Sequence, residues 1–239
     1  MIQPHILCER VSERVMLPGD PKRVDRVANF LDNVREIAYN REFKTIIGKY
    51  KGFEITVTST GIGGASAAIA LEELIACGGK FFVRIGSAGA IQSDINIGDL
   101  IISSSSVRED GASQMYVDKS MPAAADFELI KLLEKVATEK SYRYKIGMTR
   151  SHDSFYVDDE LERMAYWNQK GILGSDMETA ALYTIGYIRG VKVASVLNNV
   201  VLYESDVREG INEYVDESDL ASEGERREIE IALEALIRI

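Results

Sequence analysis

The chain has 239 residues, a formal net charge of −10 and 46% hydrophobic residues. That charge argues against a nucleic-acid or acidic-membrane surface, because either needs a cationic face that displaces counterions from phosphates, and it leaves any anionic ligand to a few local arginines. Apolar content at the globular average supports a core without disulfides or metal clips, and the absence of any Gly/Ser-rich linker points to one domain over residues 1–239.

The opening segment, MIQPHILCERVSERV, carries charges where a signal peptide needs its apolar stretch. No run of about 18 apolar residues follows, so a soluble, cytoplasmic protein is expected. Cys8 and Cys77 stand apart, without CxxC or Cys/His spacing, which suits free thiols in a reducing compartment and gives no zinc-type site.

Along the chain, short β-branched or apolar runs alternate with segments of helical period. Arg14–Leu17, Phe53–Ser59, Phe81–Ile85, Leu100–Val107, Tyr144–Thr149 and Val191–Asn198 read as strands. Pro21–Leu31, Ala65–Ala76, Phe127–Glu139, Glu160–Lys170, Glu178–Ile188 and Glu223–Ile237 read as helices. This order predicts an α/β sandwich with a mixed central sheet. In the last helix Ile229, Ala232, Leu233, Leu236 and Ile237 share one face, with Glu225, Arg226, Glu228 and Glu234 outside it. The acidic stretch Val201–Ser222 reads as a mobile loop.

Four glycine-containing clusters sit at strand ends, where open α/β sheets bind ligands. In Leu17-Pro18-Gly19-Asp20-Pro21-Lys22-Arg23, Gly19 permits close backbone approach and Pro21 suits a first helical turn. The helix start and Arg23 together suit an anion, although a plain turn has the same residues. Ser59-Thr60-Gly61-Ile62-Gly63-Gly64-Ala65-Ser66 follows a strand and opens a helix, yet it lacks the G-x-G-x-x-G spacing of a dinucleotide site. Val83-Arg84-Ile85-Gly86-Ser87-Ala88-Gly89-Ala90 puts an arginine inside an apolar strand, where it needs either an acidic partner or an anionic ligand. In Gly174-Ser175-Asp176-Met177-Glu178-Thr179-Ala180-Ala181, Glu178 opens a helix: it either complements the helix dipole or accepts from a sugar diol.

GDPKRV, NREF, STGIGGAS, RIGSAGAI, SVREDGAS, DSFY and DMETA occur in the order and approximate spacing of the nucleoside phosphorylase family, which includes uridine phosphorylase and hexameric purine nucleoside phosphorylase. The chain resembles that family from Pro4 to the final helix, and the block from Ser59 to Ala125 resembles the uridine branch. The resemblance implies a three-layer phosphorylase-type α/β sandwich, subunits paired as dimers and commonly assembled as a hexamer, and phosphorolysis of a nucleoside, uridine first. The alternatives are a purine nucleoside or 5′-methylthioadenosine, and beyond them a nucleosidase or a non-catalytic nucleoside-binding protein.

By the same resemblance Gly19, Arg23, Arg84 and Ser87 bind phosphate, joined by Arg41 from a neighbouring subunit. His5 crosses the same interface toward the ribose, Met177 and Glu178 hold the ribose, and Phe155 lines the base pocket. Arg84, Glu178 and Arg23 are the catalytic set. No cofactor is implied beyond phosphate as co-substrate, while Glu42, Ile62 and Ser66 match positions that bind a monovalent cation at the dimer interface. Two departures stand out. The uridine enzymes carry, shortly after their DSFY-like motif, a Gln-x-Arg pair that grips uracil, whereas here Asp158-Asp159-Glu160 follows and the segment before Trp167 is shorter; and Leu197-Asn198-Asn199-Val200-Val201 lacks the aspartate of the purine enzymes. The amides of Asn198 and Asn199 either read a base edge or satisfy backbone at a strand end.

Overall fold

A computed structural model of the chain describes residues 1–205 and 219–239. In chain order the elements are β1 (Arg14–Pro18), α1 (Pro21–Ala28), β2 (Asp32–Asn40), β3 (Phe43–Tyr50), β4 (Phe53–Thr58), α2 (Gly64–Ala76), β5 (Phe81–Ala90) and β6 (Leu100–Glu109). There follow α3 (Gly111–Gln114), β7 (Ala123–Ala124), α4 (Phe127–Glu139), β8 (Tyr144–His152), α5 (Glu160–Asn168), β9 (Gly174–Asp176), α6 (Thr179–Arg189), β10 (Lys192–Val201) and α7 (Asp219–Arg238). The acidic stretch expected to be a loop lies largely in 206–218, outside the described residues.

All strands join one mixed sheet with helices on both faces. Side chains alternate across a strand, and β1 shows how this divides the core: Met16 packs with α1, α4 and α7 on one face, while Val15 and Leu17 pack with α2 and α6 on the other. The expected three-layer arrangement is therefore present. The order runs β10-β6-β8-β9-β5-β1-β4-β3-β2, and β10 also pairs with β5, so β5, β10, β6, β8 and β9 close into a ring.

The ring corrects one sequence reading. The glycine-rich segment after Ile85 is not a loop at a strand end: β5 continues to Ala90, pairing with β10 along its length and with β9 at Gly89 and Ala90. Strands β2, β3, β7 and β9 were not anticipated: β2 is mostly exposed, β7 and β9 have two and three residues, and β3 carries Phe43, Ile46, Ile47 and Tyr50 at a helical rather than a two-residue spacing.

Helix α7 holds the second correction. Glu225, Glu228 and Glu234 are buried, although the periodicity placed them outside the apolar face. Tyr50 donates to Glu234 at 2.8 Å, and Arg23 reaches Glu225 at 2.9 Å and Glu228 at 3.3 Å. Carboxylates are buried here because cationic or hydroxyl partners meet them. Among the described residues no helix is long and apolar enough to cross a membrane, and Cys8 and Cys77 are buried free thiols.

Candidate active site

A cavity of about 680 Å³ opens where β1, β5, β9 and β10 end. Its first wall is the turn from β1 into α1. Asp20 caps α1 by accepting from the Lys22 N–H at 3.0 Å, with Pro21 in the first turn. The turn is stapled to the loop after β4, since the Thr60 N–H donates to Pro18 O at 2.9 Å and the Gly61 N–H to Gly19 O at 3.0 Å. Gly61 has φ +70°, and a Cβ there would lie 2.6 Å from Glu42 Cγ, so only glycine permits this approach.

Arg23 leaves the first turn of α1 and is buried against Ser87, whose hydroxyl accepts from Nη2 at 3.0 Å. Behind it stand Glu225 and Glu228. Burial pushes the Glu228 carboxyl up to about 8, against the pull of Arg23, so at neutral pH it holds its proton in most molecules.

The floor is Arg84, 3% exposed on β5. Its Nε donates to Asp176 at 3.0 Å, its Nη2 donates to Glu178, and its Nη1 is buried with no hydrogen-bond partner among the described residues. Gly86 makes room for it, because a Cβ there would meet Arg84 Nη2 at 2.6 Å. Asp176 is held in turn by the Ser151 and Thr179 hydroxyls, each at 2.5 Å. Glu178, at the start of α6, accepts the Gly63 N–H at 2.6 Å, which joins the loop after β4 to the floor. Burial pushes its carboxyl up, while Arg84 opposes that shift. Of the two sequence readings of Arg84, the acidic-partner one is present, with Asp176 and Glu178 as partners and one guanidinium nitrogen left without a hydrogen bond among the described residues.

The opposite wall comes from the end of β8 and from α5. His152, Phe155, Glu160 and Met164 line it, facing Met177 and Val201. Phe155 packs edge-on against Tyr156 at 5.1 Å, and Tyr156 is exposed, so this pair is not core.

Of the residues singled out in the sequence, Gly19, Arg23, Arg84, Ser87, Met177, Glu178, Phe155, Glu42 and Ile62 line the cavity. His5, Arg41 and Ser66 do not. The His5 ring sits 2.6 Å from Glu73, and Arg41 is exposed in the β2–β3 turn at φ +55°. Asn198 and Asn199 are not brought to the cavity either. Both are fully buried: their amide groups donate to Ala221 O at 2.8 Å and Asn96 O at 3.1 Å, fixing the end of β10 to α7 and to the turn before β6. Of the two sequence readings, the backbone-satisfying one describes them, and Val200 and Val201 face the cavity instead.

Sequence reasoning missed Asp176, Glu225, Glu228, Glu160 and His152. A usable signal existed for some of them. Asp176 and Glu178 are two residues apart beside a strand arginine that needed acidic partners, and Glu225 and Glu228 share a helix face at i, i+3.

This architecture has counterparts among known proteins. The chain is 44% identical over 209 residues to a uridine phosphorylase of Thermococcus kodakarensis, covering 82% of this chain and 76% of that one. It is 36% identical over 196 residues to a guanosine phosphorylase of Halorubrum lacusprofundi, covering 81% of each. The crystal structure of uridine phosphorylase from Vibrio fischeri ES114 superposes with a TM-score of 0.93 at 46% identity, covering 99% of this chain and 98% of that one. With the phosphorylase superfamily model also matching residues 13–236, the chain belongs to the phosphorylase superfamily.

Proposed function

We propose that the protein is a pentosyltransferase that cleaves a nucleoside with inorganic phosphate, uridine being the first substrate to test, and releases the free base and ribose 1-phosphate. The observation that carries this is the floor of the cavity. A buried arginine, one of whose guanidinium nitrogens has no hydrogen-bond partner among the described residues, lines the cavity together with a serine hydroxyl and a second arginine, and with a carboxylate. An anion and a polyol fit these groups.

In this reading a phosphate oxygen attacks C1′ as the N-glycosidic bond breaks. The bonding pair leaves with the base, which takes up a proton. The transition state resembles the oxocarbenium ion of glycoside hydrolysis. Gly19, Arg23, Arg84 and Ser87 hold the phosphate in line, and its negative charge stabilises the ribosyl cation. Met177 and Glu178 hold the ribose, with the Glu178 carboxylate accepting from the diol. Phe155 packs against the base.

Arg41, exposed, and His5, half-buried against Glu73, both stand outside this subunit's cavity, which fits their acting across a dimer interface, as the resemblance implies, in a cytoplasmic homo-oligomer that is commonly a hexamer. A monovalent cation beside Glu42, Ile62 and Ser66 belongs to the same reading. The Ser66 hydroxyl stands 2.7 Å from Glu42 Oε1 and 2.6 Å from Thr60 O, and its single proton serves only one of these acceptors.

The test is base release from uridine, thymidine, inosine, guanosine, adenosine and methylthioadenosine, with and without phosphate. Phosphate-dependent release from at least one is expected. Release indifferent to phosphate would make the protein a nucleosidase, and binding without release would make it a non-catalytic receptor.

A further inference from the structure

The base-facing wall has one charged side chain whose orientation is fixed from behind. Glu160 is the first residue of α5, lines the cavity and leaves 17% of its side chain exposed. Its two carboxylate oxygens accept from Arg150 Nη1 at 2.8 Å and Nη2 at 3.3 Å. Arg150 lies on β8, is 1% exposed and is anchored through Nε to Glu109. Held by both terminal nitrogens of a buried guanidinium, the Glu160 carboxylate is presented to the cavity as an oriented pair of acceptor oxygens. His152, from the same strand end, adds to this. Its Nδ1 donates to the Ser154 carbonyl at 2.9 Å, since a carbonyl can only accept, and Nε2 is the ring nitrogen left for another partner.

We propose that Glu160 is the specificity-determining residue of this site, accepting the ring N–H of a base that carries N–H beside a carbonyl, so that uracil, hypoxanthine and guanine nucleosides are taken and adenine and cytosine nucleosides are rejected. This deepens the phosphorylase reading and rests on it. Uracil offers N3–H and hypoxanthine N1–H. Guanine offers N1–H with an adjacent amino N–H, a fork that matches both carboxylate oxygens and ranks it above hypoxanthine. Adenine and cytosine put a lone pair at the same ring position, against a fixed negative charge. A site built to pair a substrate N–H rejects the analogue lacking it far more strongly than a merely apolar pocket does.

The test compares wild type with Glu160→Gln, reading both kcat/KM and dissociation constants by calorimetry for uridine against cytidine and for inosine and guanosine against adenosine. Wild type is expected to favour the oxo member of each pair at least tenfold. In Glu160→Gln the Arg150 guanidinium keeps the carboxamide oxygen, which turns the NH₂ toward the base; both preferences then fall at least tenfold, and the phosphate KM stays within twofold. Glu160→Asp, which keeps the charge but withdraws it, is expected to weaken all oxo nucleosides while keeping the order, and it serves if the glutamine variant gives no cooperative melt. Pair ratios unchanged in a folded Glu160→Gln, or an Asp variant indistinguishable from wild type, overturn the assignment. Absence of turnover on every nucleoside sinks the phosphorylase reading alone, because the binding ratios still judge Glu160.

Discussion

The two ends of the cavity are built in opposite ways. At the arginine end, side chains from α1, β5, β9, α6 and α7 converge, and nearly every polar atom is braced by another element: Arg23 by Ser87 and Glu225, Arg84 by Asp176 and Glu178, Glu178 by Gly63. At the aromatic end, His152, Phe155, Glu160 and Met164 all come from one stretch between β8 and α5. Convergence of many elements fixes a geometry that no single one can shift. A wall supplied by one segment can be exchanged with little effect on the rest. The contrast suits an enzyme whose phosphate and ribose are constant and whose base is the variable part of the substrate.

The sharpest way to break this contrast is Arg84→Ala. It removes the floor donor and leaves Asp176 and Glu178 facing each other without their cation. Activity with phosphate is expected to fall about 10³-fold, the cost of losing an oxyanion donor elsewhere. Stability is expected to drop by about 3–5 kcal/mol, the cost of orphaning buried charge. A denaturant melt and phosphate-dependence kinetics on the folded fraction separate the two effects. Activity within tenfold of wild type would remove Arg84 from the anion site.

Arg41→Ala probes whether the arginine end is complete within one subunit. Arg41 is exposed, so the melt is expected to stay within about 0.5 kcal/mol. A lost charge-assisted contact to phosphate is expected to lower kcat/KM for phosphate about 10–100-fold. Co-assembled Arg41→Ala and Arg84→Ala subunits should regain activity, because a site with its own Arg84 then borrows an intact Arg41. Failure to regain it in verified mixed oligomers would end the cross-interface reading.

At the aromatic end Phe155→Ala is expected to raise the nucleoside KM about tenfold, since stacking on a base is worth roughly 1–3 kcal/mol. The phosphate KM and the melt should barely change, because this wall braces nothing at the other end. A large loss of stability would contradict the contrast.

How much of this was legible before the structure follows the same division. Gly19, Arg23, Arg84, Ser87 and Glu178 draw attention as charged residues and glycines in or beside apolar strands, but each alone also suits a turn, a salt bridge or a helix start, and only the family resemblance joins them into one candidate set. The ring of β5, β10, β6, β8 and β9 was not legible, since closure depends on pairings distant in sequence and leaves no local period. Asn198 and Asn199 misled as base readers because an amide at a strand end looks the same whether it meets a ligand or a carbonyl. Glu225 and Glu228 misled for the converse reason: helical period assigns charged residues to solvent, and only the distant Arg23 makes their burial affordable.

Glu228 offers the smallest effect on activity and the most diagnostic one, because burial raises its carboxyl to about 8. It faces Arg23 from α1 and the Gly86 N–H from β5, with Glu225 beside it on α7 and Arg84 acting from β5. Its carboxyl is held up at about 8 by burial, against an unfolded value near 4.5. A raised acid pKa means the folded state keeps a proton that the unfolded chain releases. Stability therefore declines as pH rises from about 4.5 to about 8, and the decline is complete above that. Glu228→Gln should flatten that slope, by up to a few kcal/mol at roughly 1.4 per unit, and be the more stable protein at pH 9. The same titration acts on the anion site, because the ionised carboxylate competes with phosphate for Arg23. The phosphate KM of wild type is expected to rise severalfold between pH 7 and 9 beyond any change in Glu228→Gln. Parallel profiles for the two proteins would show that Glu228 does not report to the anion site, and would leave Glu225 as the carboxylate that tunes Arg23.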